Sequence, residues 1–263
     1  MNVSGWRIAA ASVAGTSHER SGTPCQDAHA FDILDLDEGS AAVFVASDGA
    51  GSASFSEIGA SIACRRSIEE ISGSLKQGIP VPGRLADTVA SWVDGVRDSI
   101  SAKAIELDVR PGELACTLLI AILLDERTIA AQIGDGSIVA RTGGEWHCLH
   151  WPQHGEFANT TNFVTSRNAC DCLDISDRPE RTDEVALFTD GIERLVLHYQ
   201  SRSVHGPFFD RIFEPLRRAV TPEAAGRLSE QLGQYLRSPT ITSRTDDDAT
   251  LVLASREFAG ADG

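Results

Sequence analysis

Apolar and polar positions alternate along this chain with two periods. Trp6 to Val13 is rich in small apolar residues and predicts a first strand. Gly15 to Asp27, with Gly15, Gly22 and Pro24, reads as loop. Ala41 to Ser47 (AAVFVAS) is a short apolar run stopped by Asp48-Gly49, the pattern of a buried strand ending at a turn. The period then changes. Ala60, Cys64, Ile68, Ile71 and Leu75 recur at steps of three and four, behind a capping-box spacing at Ser54 and Glu57. After a connector at Gly78 to Gly83, a second stripe follows through Leu85, Val89, Trp92, Val96, Ile100 and Ala104. Two amphipathic helices with a short link predict an antiparallel pair lying on a sheet.

The middle of the chain reads as a strand meander. Leu114 to Leu124, Thr128 to Ile133, Ser137 to Arg141 and Glu145 to Leu149 are strand-like, with Thr142-Gly143-Gly144 as a hairpin turn. Glu184 to Thr189 is a further buried strand, and it too ends at Asp-Gly. Helical pattern returns at Phe208 to Val220 and Pro222 to Leu236, and Ala249 to Ala254 is a last strand. Long helices do not alternate strictly with strands, so a layered α+β fold is favoured over a doubly wound sheet. No G-x-G-x-x-G follows a strand and no G-x-x-x-x-G-K occurs, which removes the usual support for a nucleotide fold.

Composition narrows the function. The 263 residues carry 38 Asp plus Glu against 23 Lys plus Arg, a formal charge of -15. That excess opposes a nucleic-acid backbone or an anionic membrane surface as partner. The length predicts a single domain over 1–263, with a core from about 6 to 254. The N-terminus has no basic stretch leading into an apolar run, so no secretory signal is expected. Six cysteines without a CxxC pair then suggest reduced thiols, a cytoplasmic protein and no zinc site.

The acids show a pattern that composition alone does not. Asp48, Asp135 and Asp190 each stand where an apolar strand meets a glycine turn. Asp27 follows a Gly/Pro loop, and Asp246, Asp247 and Asp248 precede the last strand. One Asp-Gly is ordinarily only a turn signal. Several Asp at separate strand ends can instead meet in one mouth, where their repulsion calls for a hard cation such as Mg or Mn.

Five strings carry a resemblance: SHERSGTPCQDA (Ser17 to Ala28), ASDGAGSA around Asp48, IGDGS around Asp135, FTDGIE around Asp190 and DDAT around Asp247. In this order they resemble the metal-dependent protein phosphatases of type 2C, the PPM family, in its compact bacterial branch. The resemblance spans about Trp6 to Ala254. It implies a central antiparallel β-sandwich flanked by helix pairs, an α/β/β/α arrangement. It implies two Mg2+ or Mn2+ ions at one end of the sandwich, with a weaker third. Asp48 would bridge both ions and the Gly49 carbonyl would bind one. Asp190 and Asp247 would bind the other, and Asp135 with Asp190 would hold the third. Asp27 would orient water from behind these ligands, so that Asp27, Asp48 and Asp190 form the catalytic set. The segment 151–171 falls where the family has a flap.

Two positions depart from the family pattern. Gln26 replaces a Glu, a weaker or water-mediated ligand, and Gly22 stands where an Arg often holds substrate phosphate. His18 and Arg20 in the same loop are the candidates to substitute. The implied activity is hydrolysis of phosphoserine and phosphothreonine in a protein, supplied by a partner kinase or its targets, by a chain acting as a monomer. A small-molecule phosphohydrolase on the same fold and a non-catalytic regulatory module are the competing readings. His147, His150 and His154 are surface loop histidines by default, and Trp146 and Trp151 are packing residues. Serine-hydrolase chemistry lacks its G-x-S-x-G elbow, and an aromatic content of 6% gives no support to a sugar site.

Overall fold

A strand buried on both faces is apolar at every position, whereas one with a wet face alternates. Gly39–Ser47 is of the first kind. Val43 and Val45 face one way and Ala42, Phe44 and Ala46 the other, and all five are fully buried. The computed structural model, which describes residues 5–37, 39–78, 83–153, 161–219 and 222–256, shows what covers each face.

The strands in chain order are β1 (Trp6–Val13), β2 (Ala28–Leu36), β3 (Gly39–Ser47), β4 (Leu118–Leu123), β5 (Thr128–Ile133), β6 (Ser137–Thr142), β7 (Glu145–His150), β8 (Asp174–Arg178), β9 (Glu184–Phe188), β10 (Leu197–His198), β11 (Ser203–Val204) and β12 (Ala249–Arg256). The helices are α1 (Thr16–Ser21), α2 (Ser56–Lys76), α3 (Leu85–Glu106), α4 (Asp190–Val196), α5 (Gly206–Arg218), α6 (Pro222–Leu236) and α7 (Pro239–Thr242). Two five-stranded antiparallel sheets result, in the orders β1-β12-β9-β6-β7 and β2-β3-β4-β5-β8. Their inner faces meet through Trp6, Phe44, Leu119, Ile138, Leu187 and Val252, interleaved with alanines. Helices α2 and α3 cover the outer face of the second sheet, and α5 and α6 cover that of the first. The layered α+β sandwich expected from the sequence is the fold.

Several local expectations need correction. The capping box does not form: Phe55 is the residue before α2, and Ser54 instead donates from its hydroxyl to Glu113 Oε2 at 3.1 Å. The loop at 15–27 contains α1, which Gly22 ends in a left-handed conformation, φ 73°. The apolar run 114–124 is not one strand. A 3-10 turn at Pro111–Leu114 comes first, then Cys116 pairs with Gly49 in a single bridge, and β4 begins only at Leu118. The edge strands β2 and β8 were not expected at all. Both mix polar with apolar residues, as suits strands that edge their sheet, so neither gives a clean apolar run. Residues 154–160, part of the expected flap and including His154, lie outside the described residues.

Two glycines in α2 separate helix propensity from packing. A Cβ on Gly73 would meet nothing within 4 Å, whereas one on Gly59 would stand 2.1 Å from the Leu114 carbonyl oxygen. Gly73→Ala should therefore stabilise the protein by about 0.5–1 kcal/mol through propensity alone. Gly59→Ala should destabilise it by about 1–3 kcal/mol, because α2 must move off the 3-10 turn. Urea unfolding of both variants checks the opposite signs.

Candidate metal centre

The strand-end acids converge. Gln26, Asp48, Gly49, Asp135, Asp190, Asp247 and Asp248 line one cavity of about 150 Å³, together with His18, Thr117, Thr161 and Phe163. Each acid is delivered by a different piece of the fold. Asp48 follows β3, and Asp135 sits in the turn between β5 and β6. Asp190 opens α4 directly after β9, and Asp247 precedes β12. Gly191, next to Asp190, admits no side chain: a Cβ would lie 1.9 Å from the Asp248 carbonyl oxygen. The glycine of this Asp-Gly pair therefore lets α4 start against β12, a closer constraint than a turn requires.

A layer of hydrogen bonds beneath the cavity aims the carboxylates. The Asp48 N–H donates to Thr117 Oγ1 at 2.9 Å, and the Thr117 N–H donates back to the Asp48 carbonyl at 2.8 Å. Ser47 Oγ donates to the Thr117 carbonyl at 2.6 Å. Thr161 Oγ1 donates to Asp135 Oδ2 at 2.6 Å, and Thr189 Oγ1 donates to Asp27 Oδ2 at 2.7 Å. Asp27 is buried behind the cavity and does not line it. None of these threonines was singled out as functional from the sequence. Thr117 carried a signal, as the lone hydroxyl in an apolar run.

Asp248 was also missed as a separate actor. It is 3% exposed and accepts three hydrogen bonds: from the Gly15 N–H at 2.7 Å, the Gln26 N–H at 2.5 Å and His18 Nδ1 at 2.8 Å. His18 is thereby held at the cavity, with Nδ1 engaged. Arg20 is not brought there. Its Nε donates to the Thr16 carbonyl at 2.8 Å, and its exposed guanidinium faces Asp246 at 3.7 Å. His150 is buried elsewhere, against the Ala130 carbonyl and Ser176, and Trp146 packs on Phe209 and Phe213.

The electrostatics are lopsided. Burial pushes the Asp27 carboxyl up to about 7, against the Thr189 and Thr250 hydroxyls that favour its charge. Burial first, then Asp135 and Asp247, pushes Asp190 up to about 6. Asp48 is raised well above the usual range by burial and by Asp27, Asp190 and Asp135. Among the described residues no Lys or Arg lines the cavity. Glu184, at the far end of β9, shows the ordinary remedy: it is fully buried, and Arg217 grips it through Nε and Nη2, both at 2.6 Å, with Arg141 at 3.2 Å.

The donor set fits a hard divalent cation. Gln26 Oε1, Asp27 Oδ1 and Asp190 Oδ1 are buried oxygens without a hydrogen-bond partner. Every charged or carbonyl donor at the cavity apart from His18 is an oxygen, as Mg and Mn prefer. Among the described residues no three Asp, Glu, His or Cys side chains stand close enough together to hold a metal ion as they are placed. The cavity is an open cluster in which the Gly49 carbonyl and water would complete the coordination.

A family model described as Protein phosphatase 2C matches residues 14–237. The chain belongs to the protein phosphatase 2C family. Its enzyme class is accordingly protein-serine/threonine phosphatase, and its chemistry depends on a divalent metal. Serine/threonine-protein phosphatase 3 of Escherichia coli (strain K12) is 38% identical over 252 residues, covering 95% of this chain and 98% of that protein. The crystal structure of the Mycobacterium tuberculosis phosphatase PstP/Ppp superposes with a TM-score of 0.59 at 17% identity, over 96% of this chain and 99% of that one. The PstP catalytic domain in complex with 2 manganese ions gives a TM-score of 0.55, also at 17% identity, over 96% and 99%. These two structures share the sandwich of this phosphatase 2C chain.

The raised carboxyls fix the sign of a pH effect. Their folded pKa values of about 7 for Asp27 and about 6 for Asp190 exceed the ordinary 3.8, so ionisation opposes folding. In a chelator, stability should be greatest below about 4 and fall as pH rises towards about 7. Added Mn2+ should raise Tm most at the upper end of that window. Thermal melts across pH with EDTA and with Mn2+ test this, and a chelated protein that gains stability from pH 4 to 7 contradicts it.

Proposed function

We propose that this phosphatase hydrolyses phosphoserine and phosphothreonine in protein substrates at two Mg or Mn ions held by Asp48, the Gly49 carbonyl, Asp190 and Asp247. Asp135 and Asp190 take a weaker third ion, and Gln26 contributes a neutral oxygen, direct or through water. The observation that carries this reading is the convergence of separate strand-end carboxylates, with unpartnered buried oxygens, on a cavity lined by no Lys or Arg. Bound there, the ions would supply Lewis acidity that activates water and neutralises phosphoryl oxygens.

The chain's own residues then have definite tasks. Thr117 holds the Asp48 backbone from both sides, so the side chain leaves β3 in one direction. Asp27 keeps one oxygen on Thr189 and has Oδ1 left to orient the attacking water. With Nδ1 tied to Asp248, Nε2 of His18 is the ring atom left to meet substrate phosphate. No thiol competes as nucleophile: burial, then Asp27 and Asp248, push Cys25 up to about 12, and burial does the same to Cys116. Single-domain organisation, a flap over 151–171, cytoplasmic residence, action as a monomer and substrates drawn from a partner kinase or its targets belong to the same proposal.

Asp190→Asn should leave the fold intact and lower phosphopeptide turnover by roughly a hundredfold or more, as expected when a group acting in the transition state is lost. Turnover by the natural chain should vanish in EDTA and return with Mn2+. A near-normal rate for Asp190→Asn sinks the mechanism. Gln26→Glu adds a charge at an oxygen that has no partner, and should tighten Mn2+ binding roughly tenfold by calorimetry. Unchanged affinity would remove Gln26 from the ligand set.

A further inference from the structure

A second cavity, of about 350 Å³, opens between α4, α5, α6 and α7. Its floor is apolar, with Leu195, Phe208, Ile212 and Ile241. Its lining also carries Arg211, Arg244 and Tyr235. In a chain with 15 more acids than bases, two arginines in one cavity without a carboxylate beside them mark a local reversal of charge. Most guanidiniums here are held by carboxylates, as in the pairs of Arg65, Arg66, Arg110, Arg127 and Arg217. The guanidinium groups of Arg211 and Arg244 have no hydrogen bond or ion pair among the described residues, and none of the described residues lining the cavity is Asp or Glu. His205 and the first turn of α5, which contains no acid, complete the wall.

The position of this cavity is as informative as its charge. Leu195 in its wall and Asp190 in the metal centre belong to the same helix, about 7 Å apart along the axis. Arg244 in its wall and Asp247 in the metal centre are three residues apart, at most about 11 Å of chain. An extended peptide spans that distance in three or four residues. The volume suits a few buried side-chain carbons rather than a large cofactor.

We propose that this cavity docks the flank of the phosphoprotein substrate, taking an apolar side chain onto Phe208, Ile212 and Ile241 and neighbouring carboxylates onto Arg211 and Arg244, three or four residues from the phosphorylated Ser or Thr. The proposal rests on the phosphatase reading and names the substrate class for it: an acidic-apolar sequence close to the phosphosite. Arginines serve this role well, since their forks grip carboxylates and their stems lie on apolar surface.

The test compares three substrates on the natural chain and on an R211E/R244E variant. These are p-nitrophenyl phosphate, a phosphothreonine peptide with Leu-Glu-Glu beginning three residues after the phosphosite, and the same peptide with Gly-Ser-Gly there. The natural chain should prefer the Leu-Glu-Glu peptide roughly tenfold in kcat/KM, through KM. The variant should lose that preference and keep its rate on p-nitrophenyl phosphate. If the double variant does not fold, by circular dichroism, R211Q and R244Q singly should each reduce the preference. Fluorescence anisotropy with a labelled, unphosphorylated Leu-Glu-Glu peptide reads the cavity without turnover, so it separates this proposal from the phosphatase reading. Binding that R211E/R244E abolishes supports docking even where no phosphate is released. Equal kcat/KM for the two peptides, or peptide binding that ignores both arginines, overturns it. So does decanoate raising Tm through these arginines while the peptide fails to bind, which makes the cavity a small-molecule site.

Discussion

Asp248 holds together the end of the sandwich on which the metal centre is built. Its three hydrogen bonds run to Gly15, His18 and Gln26, all on the connection between β1 and β2. That connection crosses from one sheet to the other, while Asp248 itself stands immediately before β12 of the first sheet. One buried carboxylate thus fastens the crossing to the strand start beside it. A buried charge is tolerable only when its oxygens are satisfied, and both oxygens of Asp248 are. The acids at the cavity repel each other. They can be held close because backbone N–H groups and the hydroxyls of Thr117, next to β4, and Thr189, next to β9, fix what repulsion would spread.

The same physics explains which parts of the site the sequence disclosed. An Asp at the end of an apolar run is visible because the run is visible, so Asp48, Asp135 and Asp190 stood out. Gly49 and Gln26 came with the family resemblance. The supporting layer is hidden, because Thr117, Thr189 and Thr161 meet their partners only through tertiary contacts that no local pattern encodes. Asp248 read as one member of an acidic run, although its neighbours Asp246 and Asp247 are exposed and it is buried. Only tertiary contact separates three consecutive aspartates into such different roles.

For the fold, legibility followed burial. Strands covered on both faces, such as β3, β5 and β9, appeared at nearly their true bounds. The long helices α2 and α3 showed their buried stripes residue by residue. What failed to show was β2 and β8, whose edge positions mix polar with apolar residues, and α1, whose six residues bury no side chain. A rule of local chemistry also gave way to tertiary contact at Ser54, where Glu113 across the 3-10 turn captured the hydroxyl that a capping box would use.

Gly22 brings the sequence departure and the charge together. It ends α1 at φ 73°, so an arginine there would meet no neighbour but would carry a backbone strain of about 1 kcal/mol. Arg20, nearby, is turned onto the surface of the same helix. Among the described residues that line the cavity there is His18 but no Lys or Arg. A phosphorylated chain approaching this end therefore meets carboxylates, and attraction must come from bound cations or from beyond the cavity. Arg211 and Arg244, whose guanidiniums have no partner among the described residues, line a second cavity joined to this end through α4 and the segment before β12. On the proposed reading, recognition of the phosphate would fall to the bound cations with His18, and recognition of the surrounding peptide to the arginine-lined cavity.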